Sequence, residues 1–262
     1  MEKLKRFFRR MVFFYKMASV ISDWRSYIMF DVSLPVLQMI CYSLIAYNAY
    51  GSDNISHWMI GNSLLIIAFS SVYNVGFQIE SEKANGTLPL LVASKTKLWE
   101  IFFSSAISTI IQSVFSVFLG VSLISWLLDI TWSFNQVLSF FLVLVSAVFV
   151  SITFGLLFSC FILISTEVNL ITNTLAQILL IFTGANFPLS SLPKIFQAVP
   201  NYLPLTRSIA AAQSIFTTSL NREFFYLLKE EFFLGFVYLV LAVIVLAIIE
   251  KLAIKHGSLE IL

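Results

Sequence analysis

Charged residues are scarce in this sequence, and long uncharged runs take their place. Asp, Glu, Lys and Arg make up 11% of the 262 residues, whereas an ordinary soluble domain carries about 25%. Hydrophobic residues make up 59%, and the mean hydropathy is +0.91. This composition predicts an integral membrane protein. The net charge of only +2 gives no reason to expect nucleic acid as a partner.

Cysteine and histidine are nearly absent, with two residues of each. Cys41 and Cys160 each lie within an apolar run, where cysteine more often packs as a small hydrophobic residue than forms a disulfide. His57 and His256 fall on opposite sides of the membrane in the topology derived below. The sequence therefore predicts no metal site.

Catalytic and nucleotide-binding motifs are also missing. The chain contains no HExxH, no GxSxG and no GxxxxGK[ST], so neither the usual hydrolase chemistry nor a phosphate-binding loop is expected. Asp31, Asp129, Glu167 and Glu250 lie at the ends of apolar runs, whereas ion-coupled transporters keep such groups at membrane depth. The chain is predicted to be neither an enzyme nor a cofactor-binding protein, and any transport by it needs energy from elsewhere.

Six uncharged runs can each supply the roughly 20 residues of a membrane-spanning helix. They predict an all-α protein with six transmembrane helices and a single domain, 1–262. Turns are expected near Asp129 and near Glu167. The runs cover residues 32–52, 58–79, 101–128, 130–166, 168–193 and 232–249.

Basic residues decide the orientation, because six spans place both termini on one side. Twelve of the 16 Lys and Arg residues fall on the side of the termini. Both termini are therefore predicted to be cytoplasmic. The basic residues on the other side are Lys194, Arg207, Arg222 and Lys229.

The first 25 residues combine a basic face with an apolar one. On a helical wheel Phe7 and Phe14 share one side, and Arg6 and Arg9 lie roughly opposite. Residues 1–25 are predicted to form an amphipathic helix in the membrane interface, in contact with lipids. The alternative is a positively charged topology anchor, and the two roles are compatible.

Prolines concentrate between the fifth and sixth predicted spans. Residues 184–231 form a long, partly apolar segment on the outer side that holds four of the six prolines. Proline stops helices, and unpaired backbone cannot face lipid. The segment is therefore predicted to form one or two short re-entrant helices that pack against protein.

A polar island at 79–97 separates the second and third spans and is predicted to be a cytoplasmic loop. Gly86 is a helix stop, Thr87 can cap a new turn, and Pro89 is tolerated in a first turn. Residues 87–92 are therefore expected to form a short helix of their own.

Leucines are the other feature of this short helix. Leu88, Leu90 and Leu91 are expected to be exposed on the cytoplasmic side of the membrane, where they would contact water. Exposed leucines in such a loop indicate that a partner protein covers them. The alternative is that these side chains dip into the lipid headgroups, as amphipathic turns readily do.

Amides and hydroxyls recur at helical spacing within two of the predicted spans. Residues four apart share a helix face. Such stripes either line a polar, uncharged pathway or form hydrogen bonds between helices, and their presence on two spans favours the pathway. The candidates are Asn62, Ser70, Asn74 and Gln78 in the second span and Asn169, Asn173 and Gln177 in the fifth.

Two stretches resemble the permease subunits of type-2 ABC exporters. One is ESEKANGTLPLLVAS between the second and third spans, and the other is PLSSLPKIFQAVPNYLPLTR before the last span. The resemblance extends over essentially the whole chain. The sequence departs from it at Asn85, where relatives are usually charged, and at Pro89, where they are usually acidic. The matching residues of the first stretch are Glu80, Glu82, Gly86, Thr87, Leu88, Leu91 and Ser94.

The resemblance implies an exporter permease in a bacterial cytoplasmic membrane, with 79–97 as a coupling helix docked on a separate cytoplasmic ATP-binding subunit that holds ATP and magnesium. It also implies a second permease, either a copy or a sister subunit, around a pathway near the second and fifth spans. The uncharged stripes predict an amphiphilic substrate such as a drug, a lipid or a membrane-active peptide. The alternatives are a glycan-lipid flippase permease of the same fold and a membrane receptor or immunity protein that does not transport.

Overall fold

The computed structural model describes residues 33–50, 55–93, 97–186, 188–216 and 221–256. Every regular element within these ranges is helical, which confirms the all-α prediction for the described part of the chain. The interfacial helix predicted at 1–25 lies outside the described residues, as does Ser94.

The described residues contain eight α-helices, numbered here in chain order. Two 3-10 helices, Leu189–Ser191 and Val199–Tyr202, lie between the sixth and the seventh. The α-helices are α1 (Leu34–Tyr50), α2 (Ile55–Ala84), α3 (Leu88–Ala93), α4 (Leu98–Leu127), α5 (Phe134–Ile164), α6 (Val168–Phe182), α7 (Thr206–Ser214) and α8 (Arg222–His256).

Three of these helices are long and apolar enough to cross a membrane. The qualifying stretches are Ser56–Ala84 in α2, Phe134–Ile164 in α5 and Arg222–Ala253 in α8. Shorter apolar helical stretches lie in α1, α4 and α6. The count of six spans stays a prediction.

Both predicted turns are present. Between α4 and α5, the Ser133 hydroxyl accepts a hydrogen bond from the Gln136 amide, and the Gln136 side chain accepts one from the Ser133 amide. This reciprocal capping box satisfies two amide groups that lack partners within the helix. The second turn lies between α5 and α6, where the Glu167 amide donates to Ser165 Oγ over 3.0 Å.

α2 and α8 extend beyond the uncharged runs that predicted them, because polar residues do not end these helices. α2 continues through Ala84, so the first turns of the predicted loop 79–97 are helical. α8 begins at Arg222, so 222–231 belongs to the last helix and not to the outer segment. Its 35 residues extend about 52 Å at 1.5 Å per residue, which exceeds the roughly 30 Å hydrocarbon core.

α2 lies at the centre of the bundle, in contact with α1, α4, α5, α6 and α7, while α5 and α8 pack along each other. Two ends of the bundle can be distinguished. The Gly86 end holds the α2–α3 corner and the α5–α6 turn. The Gly184 end holds the α4–α5 turn and residues 184–186 and 188–216. The Trp132 and Phe216 rings join the two parts, with their centroids 5.0 Å apart.

Candidate functional site

The corner between α2 and α3 is built around Gly86. This residue has a φ of +64°, a left-handed conformation that glycine adopts without steric cost. The Gly86 amide donates to the Lys83 carbonyl over 3.1 Å, and the Thr87 amide donates to the Glu82 carbonyl over 3.0 Å. This pair of bonds is a Schellman motif, which satisfies the last carbonyls of α2. The helix break predicted at Gly86 is present.

Thr87 connects the two helices at this corner. Its carbonyl accepts hydrogen bonds from the amides of Leu90 and Leu91, at 3.0 and 3.1 Å, in the first turn of α3. Its hydroxyl donates to the Glu82 carboxylate and to the Glu82 carbonyl. The Glu82 carboxylate is therefore occupied inside the corner.

The leucines of α3 differ in their exposure. Leu90 is 69% exposed, whereas Leu88 is only 4% exposed and belongs to the hydrophobic core, and Leu91 is half-buried against that core. The expectation that all three face water is wrong for Leu88, because α3 contacts α2 and α8 and turns this side chain inward. Leu90 is the leucine that α3 presents at the surface.

The last turns of α2 are hydrogen-bonded to α5 and α6. Asn169 Nδ2, at the start of α6, donates to the Glu80 carboxylate over 2.9 Å. Lys83 Nζ donates to the carbonyls of Ile162 and Ser165, at 3.0 and 2.5 Å, where α5 ends. A cation stabilises these carbonyls because they lack intrahelical partners and carry partial negative charge. The Gly86 corner is thereby fixed to the α5–α6 turn.

Sequence reasoning misses Lys83, because in a polar island its charge looks like that of any loop residue. The available signal is a basic residue in the last turn before a glycine stop, which is a common helix C-terminal pattern. That pattern explains the position of Lys83 in α2, but it does not identify α5 as the helix whose carbonyls it caps.

Replacing Lys83 with methionine is expected to lower the free energy of unfolding by about 1–2 kcal/mol, because the end of α5 loses its cation. For a chain of this length that corresponds to a fall of roughly 2–8 °C in the thermal midpoint. Lys83→Arg keeps the charge and is expected to retain most of the stability. Unchanged midpoints for Lys83→Met, measured in detergent, would show that the two bonds contribute nothing.

α2 and α6 meet along one face. Tyr73 Oη donates to Asn173 Oδ1 over 3.0 Å, one turn away from Gly76. A Cβ added at Gly76 would lie 2.5 Å from Thr172 Cγ2, so the missing side chain allows the two helices to approach closely. The α2 residues on this face are therefore Tyr73, Gly76 and Glu80.

The predicted stripe of α2 lies partly elsewhere. Asn74 accepts a hydrogen bond from Ser105 on α4 over 2.9 Å, and the buried Asn62 donates to the Trp58 carbonyl of its own helix over 3.1 Å. Ser70 and Gln78 are half-buried. Asn62 and Asn74 therefore contribute to packing in the single chain.

The stripe of α6 is at the surface. Asn169, Asn173 and Gln177 are all exposed. The first two reach across to Glu80 and Tyr73, as described above. Gln177, one turn further toward the Gly184 end, has its side chain at the surface beside the contact with α2.

These features define the class of protein. Long apolar helices pack around a buried core and leave large apolar side chains on the outside, as in a multi-pass membrane protein. Residues 11–217 match the family model described as ABC-2 type transporter. The chain therefore belongs to the ABC-2 type transporter family and is the permease subunit of a type-2 ABC transporter. A search of curated proteins found no match.

Membership confirms the resemblance carried by the Gly86 corner and the proline-rich segment. Permeases of this family form the membrane component of a transporter, are not themselves catalytic and generally work with an ATP-binding subunit.

Proposed function

We propose that the chain is the permease of an ATP-driven exporter and that α3 is the helix on which a cytoplasmic ATP-binding subunit docks. The observation that carries this proposal is the Gly86 corner. Its short helix exposes Leu90 on one side and anchors Leu88 in the core on the other. ATP and magnesium belong to the partner subunit.

The hydrogen bonds at the corner suggest how movement of the partner reaches the bundle. A displacement of α3 by the ATP-binding subunit acts on the last turns of α2. These turns are hydrogen-bonded through Glu80 to α6 and through Lys83 to α5. The Schellman motif and the Thr87–Glu82 bonds make the corner stiff. Movement of α3 is therefore passed to the contact between α2 and α6.

The pathway is proposed to follow the exposed face of α6 beside α2. A second permease, either a copy or a sister subunit, covers this face and encloses the pathway. Beyond Glu80 at the Gly86 end, this surface mixes amides with apolar groups and carries no fixed charge on α6, which suits an amphiphilic substrate because it contacts both parts of the molecule. Its exposed residues on α6 are Asn169, Leu170, Asn173, Thr174, Gln177 and Ile181.

The orientation of the molecule follows from the same assignment. The Gly86 end lies in the cytoplasm, as the excess of basic residues predicts, and the Gly184 end lies outside. The whole chain, 1–262, then acts as one permease domain in a bacterial cytoplasmic membrane, with both termini cytoplasmic.

Reconstituted transport tests the proposal. The permease and its ATP-binding subunit are purified together and placed in inside-out vesicles with a fluorescent amphiphilic dye. We expect the dye to accumulate only with ATP and only when the partner can hydrolyse it. Absence of any co-purifying ATP-binding subunit would favour the receptor or immunity alternative, and movement of a glycan-lipid but not of the dye would favour the flippase.

Replacing Gln177 with leucine is expected to lower dye transport per ATP hydrolysed about fivefold, because a lost hydrogen bond to substrate is worth about 1 kcal/mol. The thermal midpoint is expected to stay unchanged, since the side chain is at the surface. Asn48→Leu on α1, also an exposed amide, is the matched control and is expected to transport normally. Equal transport by both variants would assign the stripe of α6 to packing.

A further inference from the structure

Glu231 is a buried carboxylate in α8 that the mechanism above does not use. Its side chain is 0% exposed. One carboxylate oxygen accepts a hydrogen bond from the Leu205 amide over 2.6 Å, and the other accepts one from the Arg207 amide over 3.2 Å. Both donors are backbone groups at the start of α7.

The start of α7 explains why a carboxylate is buried there. Leu205 has a φ of +70°, and the chain turns sharply at this residue into the helix. The first amides of a helix have no partners within it and carry partial positive charge. Burying a carboxylate is costly unless it is hydrogen-bonded, and these amides supply the bonds.

Two further contacts join α8 to the same segment. Tyr238, two turns beyond Glu231, donates its hydroxyl hydrogen to the Tyr202 carbonyl. Arg207 Nε donates to the Glu230 carboxylate over 2.9 Å. The chain from Tyr202 to Arg207 is therefore attached to α8 through three residues within about two turns.

The opposite side of α7 packs into the Gly184 end of the bundle. Its buried Ser208 shares a hydrogen bond of 2.9 Å with Ser146 of α5, and the helix also contacts α2. Gln213 donates to the Gly184 carbonyl over 3.2 Å. α7 thus occupies the space between α2, α5 and α8. The packing against protein agrees with the prediction for this segment, and its re-entrant position in the membrane stays a prediction.

We propose that Glu231 is a positioning residue for transport: it fixes the start of α7 to α8, so that α7 and the adjoining part of α8 move as one body when the Gly184 end opens. Glu231 does not contact substrate in this proposal. The donors are backbone amides, which side-chain substitutions leave in place. The attachment therefore depends on the Glu231 carboxylate and on whether its side chain is long enough to reach from α8 to the start of α7. The proposal rests on the export function given above.

Hydrogen exchange in the intact complex tests the attachment directly. Glu231→Gln removes the negative charge and one acceptor oxygen at nearly constant size. We expect amide exchange in 205–214 to rise at least tenfold, while exchange in 134–164 stays within twofold of the wild type. Dye transport per ATP hydrolysed is expected to fall at least fivefold, and Glu231→Asp is expected to recover part of both losses. Lys229→Gln, an exposed neighbour on α8, is the matched control and should change neither.

Tyr238→Phe is the second variant if Glu231→Gln fails to assemble. It removes the bond to Tyr202 but keeps the ring against Phe154, and a smaller rise in exchange of 205–214 is expected. Unchanged exchange of 205–214 in the assembled variants would overturn the attachment. Raised exchange with unchanged transport per ATP would overturn the positioning role. If wild-type vesicles show no ATP-dependent transport, the export function fails, and the exchange data still decide whether Glu231 holds α7.

Discussion

Replacing Leu90 with aspartate is expected to release the ATP-binding subunit from the permease. A buried apolar anchor in an interface contributes about 2 kcal/mol or more, which corresponds to at least a roughly 30-fold loss of affinity. A carboxylate in its place adds an unpaired charge to the interface. Because Leu90 is exposed in the single chain, the substitution leaves the core intact. The measurement is the dissociation constant between the tagged permease and the ATP-binding subunit.

Two control variants separate docking from general effects of charge. Leu90→Met keeps an apolar side chain of similar size and is expected to bind normally. Asn135→Asp adds the same charge at an exposed position in the first turn of α5, where negative charge suits a helix N-terminus. Wild-type affinity of Leu90→Asp would exclude α3 as the docking helix. An equal loss in Asn135→Asp would assign the effect to charge alone.

Local signals predicted the corners of this fold well. Gly86 ends α2 because only a residue without a side chain takes its backbone conformation easily. The turn near Asp129 was also predicted, although the capping box by which Ser133 and Gln136 start α5 was not. Both effects act within a few residues and are visible in the sequence. The start of α8 at Arg222 could not be predicted from such local signals. Arg222, Glu223 and Lys229 are as compatible with a helix as with a loop.

The orientation of side chains depended on contacts between distant segments. Leu88 and Leu90 look equivalent in the sequence, and only the packing of α3 against α2 and α8 separates them. The same holds for Asn74, which is aligned with the stripe of α2 but is bonded to Ser105 on α4. Spacing gives the face of one helix but not the neighbour that the face meets.

Glu231 shows the same limit for a charged residue. It directly precedes the last uncharged run and therefore looks like the polar end of a membrane span. Its partners are the amides of Leu205 and Arg207. Every residue except proline has such an amide, so the sequence does not indicate which amides bind a given carboxylate. A buried carboxylate of this kind can be recognised only when the fold brings a helix N-terminus to it.

The close contact between α2 and α6 predicts a large effect at Gly76. Gly76→Ala places a methyl group 2.5 Å from Thr172 Cγ2, and overpacking of this kind costs about 1–3 kcal/mol. A separation of 2.5 Å is far shorter than van der Waals contact, so the upper part of this range, about 2–3 kcal/mol, applies. Alanine favours helix over glycine by about 1 kcal/mol, which leaves a net loss of about 1–2 kcal/mol. We expect a fall of roughly 2–8 °C in the thermal midpoint and a loss of dye transport, because separating the helices strains the hydrogen bonds that Asn173 and Asn169 make across this contact.

Thr172→Ser provides the matched rescue, because it removes the methyl group that clashes and keeps the hydroxyl. The Thr172 hydroxyl donates to the carbonyls of Val168 and Asn169, at 2.9 and 3.1 Å, and serine can make the same bonds. The serine variant alone is expected to lose less than about 1 kcal/mol, while the double variant recovers most of the midpoint lost by Gly76→Ala. The coupling energy between the two positions is then about 1–2 kcal/mol. If the fall in midpoint of the double variant equals the sum of the falls of the two single variants, α2 and α6 do not meet at Gly76. The proposed pathway beside this contact would then have to lie on another face of α6.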